Sequence, residues 1–325
     1  MRGRGPAGGG IGRRLGKSHR LSRLLSRLFA FSLVAVASLL ATAPAYSQSP
    51  GVRARSGPDD AAGSIELVDP EVLRVCADPS NLPFSNRAGE GFENRLAELL
   101  AKKLGKGLAY SYYPGATGFI RNTLNAHLCD VVMGMPQGDD LVQPTNPYYR
   151  TSYAAVYRAG SDLEGLSSLA DPRLANGRRI GLVANTPPGN LLARYRLLAA
   201  VKPYPLVVDT RVDAPAADMI RDLANKEIDV AILWGPIAGY HVKQSGGRLK
   251  LVLLTEDKGA RMSYRIAMGV RHSDQEWKRA LNRFIAQNQN EIDRLLADFG
   301  VPLTDEADAP ITPTPITPAP IAPTP

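Results

Sequence analysis

One pattern occurs twice in this chain and limits what it can become. Leu124 is followed six residues on by Asp130-Val131-Val132-Met133-Gly134, and Leu223 six residues on by Asp229-Val230-Ala231-Ile232-Leu233-Trp234. Helix end, acidic residue, unbroken apolar run and glycine loop therefore recur about 99 residues apart. A short apolar run bounded by turn residues reads as a strand covered on both faces, as in a mostly parallel sheet flanked by helices.

The remaining segments follow the same alternation. Leu73–Ala77 and Leu108–Tyr113 read as strands. Between them Phe92, Leu96, Leu99, Leu100 and Leu104 form one helical stripe that Gly105 stops, and a second helix is expected around Gly118 to Ala126. Later come strands at Arg179–Val183 and Pro205–Val208, with helices opening near Pro188 and at Pro215. Ser273 with Glu276 spells a capping box for a long helix carrying Trp277, Leu281, Phe284 and Ile292. Thr151–Arg158 and Ser263–Val270 are extended runs at the junctions of the two repeats. Two such crossings make a hinge, and the groove between the lobes becomes the expected ligand site. The fold class is thus α/β, with two lobes, each a mostly parallel sheet flanked by helices, joined by two hinge strands. Lobe 1 is expected over 65–155 and 262–302, and lobe 2 over 156–261.

The ends have a different composition. Residues 1–47 carry eight basic side chains and no acid, an apolar run from Leu28 to Leu40, and the small-x-small triplet Ala43-Pro44-Ala45. These are the parts of an export signal cleaved near residues 45–47. The apolar run is shorter than the ~20 residues a membrane helix needs, so no anchor is expected. The net charge of +8 belongs to this leader: without it, 31 basic residues face 31 acidic ones. Nucleic-acid binding loses its electrostatic basis. Residues 48–64 read as a disordered lead-in, and 303–325, with seven prolines in the last sixteen residues, as a Pro-rich disordered tail.

Two cysteines, Cys76 and Cys129, leave the disulfide open. An even count in an oxidising compartment favours the bond. A three-residue offset between neighbouring parallel strands would instead separate them by about 10 Å, beyond disulfide reach. Two cysteines and scattered histidines make no zinc site, and no phosphate, dinucleotide or nucleophile-elbow motif is present, so no metal and no cofactor is expected.

Several segments resemble the type II periplasmic solute-binding proteins over Val72 to Val301. Gly91-Phe92-Glu93 is similar to their Gly-aromatic-acid signature, although Asn94 and Arg95 depart from its continuation. Within that fold, Leu73–Pro79, Asn81–Asn86, Gly89–Asn94, Gly118–Leu124, Cys129–Gly134 and Pro147–Arg150 resemble the periplasmic J-type accessory proteins of quinoprotein methanol dehydrogenases, the MxaJ/XoxJ group. The resemblance implies a non-enzymatic periplasmic protein that assists activation or assembly of a PQQ-dependent methanol dehydrogenase, its suspected partner. It does not require the chain to bind PQQ. The alternatives are an ABC-transporter receptor for a small solute that is not an amino acid, docking on its permease, and a dehydratase-like enzyme using Asp78 or Glu93.

Amino-acid receptors of this fold clamp the ligand with an arginine after the third strand of lobe 1 and an aspartate after its counterpart in lobe 2. Here Met135–Gln143 holds no basic residue and Trp234–Ile237 no acid, so an amino-acid ligand is not expected. The cleft is expected at Asp78, Asn81, Phe84, Met135, Tyr148, Tyr149, Arg150, Asn185, Thr186 and Trp234. Each has a competing role. The aromatics can pack lobe interiors, Asn185-Thr186 can cap a helix, and Arg150 can form a structural ion pair.

Overall fold

A computed structural model describes residues 66–175, 177–255 and 259–313. The export signal expected at 1–47, the lead-in at 48–64 and the end of the tail from 314 onward lie outside the described residues.

The first lobe is assembled from β1 (Val72–Ala77), the two-residue strands β2 (Ser80–Asn81) and β3 (Ser85–Asn86), α1 (Phe92–Leu104), β4 (Gly107–Tyr112), the single-turn α2 (Phe119–Asn122) and β5 (Val131–Pro136). The sixteen-residue β6 (Gln143–Arg158) then leads into β7 (Ile180–Val183), α3 (Pro188–Arg194), β8 (Val201–Tyr204), α4 (Pro215–Ala224), β9 (Val230–Trp234), α5 (Gly235–Gln244) and β10 (Leu249–Leu253). The chain returns along β11 (Ser263–Val270), forms α6 (Gln275–Asp298), and closes with β12 (Leu303–Thr304) and β13 (Pro310–Ile311).

The strands run in the order β4-β1-β5-β11-β6-β9-β7-β8, with β10 also on β6. Within each lobe the core pairings β1–β4, β1–β5, β7–β8 and β7–β9 are parallel. β6 joins the lobes. Its first part pairs antiparallel with β11, and from Tyr153 onward it pairs with β9. Beside it the returning chain bonds at Leu254 N to Tyr153 O and Tyr153 N to Met262 O, so the two crossings run together. The buried clusters separate accordingly. One packs α1 and α6 on the first sheet, another surrounds Cys76 and Cys129, and two cover the faces of the second sheet. Val131, Val132 and Met133 are all buried because β5 lies inside the sheet with both faces covered.

Four local expectations change. The edge strand lies at Val201–Tyr204, not Pro205–Val208. Its partner β7 ends at Val183, opposite Tyr204, so the apolar run Leu206-Val207 has nothing to pair with and is exposed. The helix expected to Ala126 is one turn long. The capping box at Ser273 is not formed: the Glu66 carboxylate, from more than 200 residues upstream, accepts from the Glu276 and Trp277 amides at 3.2 and 2.7 Å. The tail is ordered at its start. Asp305 folds 303–311 into a hairpin by accepting from the Ala307 and Ala309 amides, and Asp308 pairs with Arg150 at 2.6 Å.

Cys76 and Cys129 are joined, with Cα atoms 5.4 Å apart. The offset argument fails because Cys129 is not on the strand. β5 starts at Val131, and the chain turns toward β1 just before it, where Asp130 N donates to Arg74 O. The same corner is held by Arg271, whose guanidinium meets Asp130 at 3.0 Å and Asp274 at 2.7 Å, with all three side chains nearly inaccessible. Arg271 also donates to the Cys129 and Glu66 carbonyls at 2.7 Å. Removing the cation leaves two buried carboxylates uncompensated. Arg271→Met should therefore lower unfolding free energy by about 3–5 kcal/mol in urea denaturation, and adding Asp130→Asn should restore part of the loss.

Candidate functional site

A cleft of about 580 Å³ lies between the lobes, and its position follows from where the strands end. β1 ends at Ala77 and delivers Asp78. The β2–β3 turn delivers Asn81 and Phe84, and the first turn of α1 delivers Glu93. Gly91 permits this approach, since a Cβ there would stand 2.0 Å from the Phe84 carbonyl oxygen. Glu93 N in turn donates to that oxygen at 2.9 Å. The opposite wall is apolar and aromatic. Tyr153 on β6, Trp234 on β9 and Tyr264 on β11 pack edge to face, with centroids 5.2, 5.7 and 6.5 Å apart.

Two carboxyl groups line this cleft, and no Lys, Arg or His does among the described residues. The two are treated differently. Asp78 is buried and saturated: it accepts from Ser80 N at 2.8 Å, Gly115 N at 2.5 Å and the Thr210 hydroxyl at 2.8 and 2.9 Å. Thr210 lies between β8 and α4 in the other lobe, so this contact spans the cleft. Glu93 makes no side-chain hydrogen bond among the described residues. Burial, followed by the charge of Asp78, pushes its pKa up to about 8. Its Oε1 would be 2.2 Å from a Cβ on Gly134, so a side chain at that point of β5 would force the carboxyl to move. The neighbouring phenols stay neutral. Burial raises Tyr148 and Tyr149 well above the usual phenol range, with Glu93 adding to both, and Tyr153 is pushed up to about 12.

Seven of the ten expected residues meet here: Asp78, Asn81, Phe84, Met135, Tyr149, Thr186 and Trp234. Three do not. Tyr148 does not line the cleft: its ring packs on that of Tyr149 with centroids 4.9 Å apart, it is buried, and its hydroxyl donates to Met133 O at 2.9 Å. Arg150 lies in a separate recess and holds Asp308. Asn185 takes a left-handed backbone conformation (φ 60°) and does not reach the cleft. Nor do Asn185 and Thr186 cap α3, because the Thr186 hydroxyl bonds back to Val183 O at 2.6 Å. Glu93, Thr210, Tyr153 and Tyr264 were not among the expected cleft residues. Glu93 had a signal, its place in Gly91-Phe92-Glu93; Thr210, in an irregular loop, had none. Among the described residues no group of three or more His, Cys, Asp or Glu could hold a metal ion.

Residues 73–300 match the bacterial extracellular solute-binding proteins, family 3. The chain belongs to this family. Within the family it is MxaJ/XoxJ-like. It is 30% identical over 289 residues to Protein MoxJ of Methylorubrum extorquens, spanning 84% of this chain and 93% of that one. The crystal structure of the periplasmic binding protein XoxJ from Methylobacterium extorquens AM1 superposes with a TM-score of 0.62 at 41% identity, covering 72% of this chain and all of that one. MxaJ from Methlophaga aminisulfidivorans MPT gives 0.62 at 27% identity, covering 71% and 99%. No helix among the described residues is long and apolar enough to cross a membrane.

Two outcomes follow from the carboxyls. Thr210→Val removes a donor to a buried carboxylate and should cost about 1.5–3 kcal/mol in chemical denaturation, whereas Thr210→Ser should cost less than ~1 kcal/mol. Glu93 binds its proton more tightly folded than unfolded. Its contribution is therefore complete below about pH 4.5 and is lost as pH rises through about 8. Glu93→Gln should flatten this decline, gaining roughly 1–3 kcal/mol relative to the parent between pH 5 and pH 9, as read from urea midpoints.

Proposed function

We propose that this protein is a non-enzymatic periplasmic accessory factor that assists activation or assembly of a PQQ-dependent methanol dehydrogenase, using the interlobe cleft to hold its target. The observation that carries this reading is the 41% identity to XoxJ across that protein's full length, together with a cleft lined by aromatic and aliphatic side chains. The quinone and the metal belong to the dehydrogenase; this chain contributes a binding surface. Export by the basic leader at 1–47 brings it to the compartment where such an enzyme matures.

A catalytic role is disfavoured by the state of Asp78. A general base needs a free lone pair directed at substrate, and both oxygens of Asp78 accept hydrogen bonds from the protein's own groups. An ABC receptor for a neutral solute is the competing reading, since the family as a whole supports it.

Deletion of the gene discriminates between them. PQQ-dependent alcohol dehydrogenase activity in periplasmic extracts should fall at least several-fold and return on complementation. Unchanged activity with normal growth on methanol would reject the accessory role.

A further inference from the structure

Of the two carboxyl groups that line the cleft among the described residues, Glu93 is the one that makes no side-chain hydrogen bond. Glu93 is part-buried, and a carboxyl group that faces a largely apolar cavity with no protein donor is suited to a ligand that brings one. Its neighbour Asp78 shows what satisfaction looks like there, with amide and hydroxyl donors on both oxygens. The glycine at 134 keeps open the space that Glu93 Oε1 occupies. The rest of the cleft lining is mostly apolar or aromatic, including Phe84, Tyr149 and Trp234, with Asp78, Asn81, Ser85 and Thr186 as its other polar members.

The charge balance narrows the ligand further. Two carboxyls and no basic group line the cleft among the described residues, so an anionic ligand would meet only repulsion. A hydrocarbon would leave Glu93 unsatisfied. An ammonium supplies both the missing donor and the missing charge, and the aromatic side chains add cation–π attraction to the ammonium and apolar contact to its stem. We infer that the cleft binds a group consisting of an apolar or aromatic body ending in an ammonium, with Glu93 as the acceptor that fixes it. This deepens the reading above and rests on the cleft being the binding surface. The same chemistry is presented by a free arylalkylamine and by a lysine side chain on a protein segment.

Binding is linked to a proton. The groups facing Glu93 are Asp78 from the end of β1 and the neutral phenols of Tyr148 and Tyr149 from β6, with no cation among them. With its pKa pushed up to about 8, Glu93 is mostly protonated at pH 7. An arriving ammonium favours the carboxylate, so the Glu93 proton leaves to solvent and the ion pair remains.

Calorimetry on the mature chain tests this with phenethylamine, phenethyl alcohol and hydrocinnamate. A blocked Leu-Lys-Leu peptide and its norleucine analogue form a second arm. The amine should bind at least ~10-fold tighter than the alcohol, the size of one charge-assisted hydrogen bond, and hydrocinnamate should not bind. At pH 7 binding should release a proton, seen as heat that depends on buffer ionisation enthalpy. Glu93→Gln should erase the preference for amine over alcohol, with a melting temperature no lower than the parent's. Gly134→Ala, which displaces the carboxyl without removing it, should do the same. Preference for the lysine peptide alone assigns the ammonium to a protein segment, and preference for phenethylamine alone assigns it to a free amine. No preference for the ammonium in either arm, no binding in either arm, or a preference that survives Glu93→Gln overturns the inference. If Glu93→Gln loses the preference but gene deletion leaves dehydrogenase activity intact, the ligand class stands and the accessory role falls. The reverse pair of results does the opposite.

Discussion

The saturation of Asp78 is the constraint on which the site depends. A buried carboxylate is tolerable only when its lone pairs are matched, and here the matching groups come from three places: the turn after β1, the loop at Gly115 and Thr210 in the opposite lobe. The first two fix the shape of one cleft wall. The third ties that wall to the other lobe. Because Asp78 is consumed in this way, its charge acts on Glu93 only through space, adding to the burial that drives Glu93 toward the neutral form.

Positioning at this level needs a stiff frame beneath it. The disulfide and the Arg271 fan both act at the corner where the chain turns into β5, the strand that carries Gly134 and Met135 to the cleft. Relative movement of the lobes is left to β6 and β11, which run side by side through the junction and bear Tyr153 and Tyr264 on the cleft wall. Any ligand that favours the closed arrangement must bind it better than the open one, and the Thr210–Asp78 contact already biases the free protein toward closure.

Much of this was legible in the residue order. The stripe Phe92-Leu96-Leu100 and the run Val131–Met133 report burial directly, because a helix face and a covered strand each need apolar side chains at a set period. Phe84, Met135 and Trp234 were legible as cleft residues because they follow strand ends, where loops of such a sheet must face the groove. Tyr148 and Tyr149 could not be told apart, because the register of β6 against β11 shifts at this point and brings the two rings together, with only Tyr149 reaching the cleft. Arg150 was ambiguous until its partner, Asp308, was seen to arrive from a C-terminal hairpin that its proline content disguised.

The sequence by itself determined the alternation of strands and helices, the two-lobed α/β class and the kinship with XoxJ. All of these reside in local composition and periodicity or in motif order. The tertiary structure alone decided the Cys76–Cys129 bond, the capping of α6 by Glu66, the latch from Thr210 to Asp78 and the isolation of Glu93. Each of these joins or separates groups far apart in the chain. Their energies depend on distances of a few ångströms and on exclusion of water, and neither quantity exists until the lobes have folded against one another.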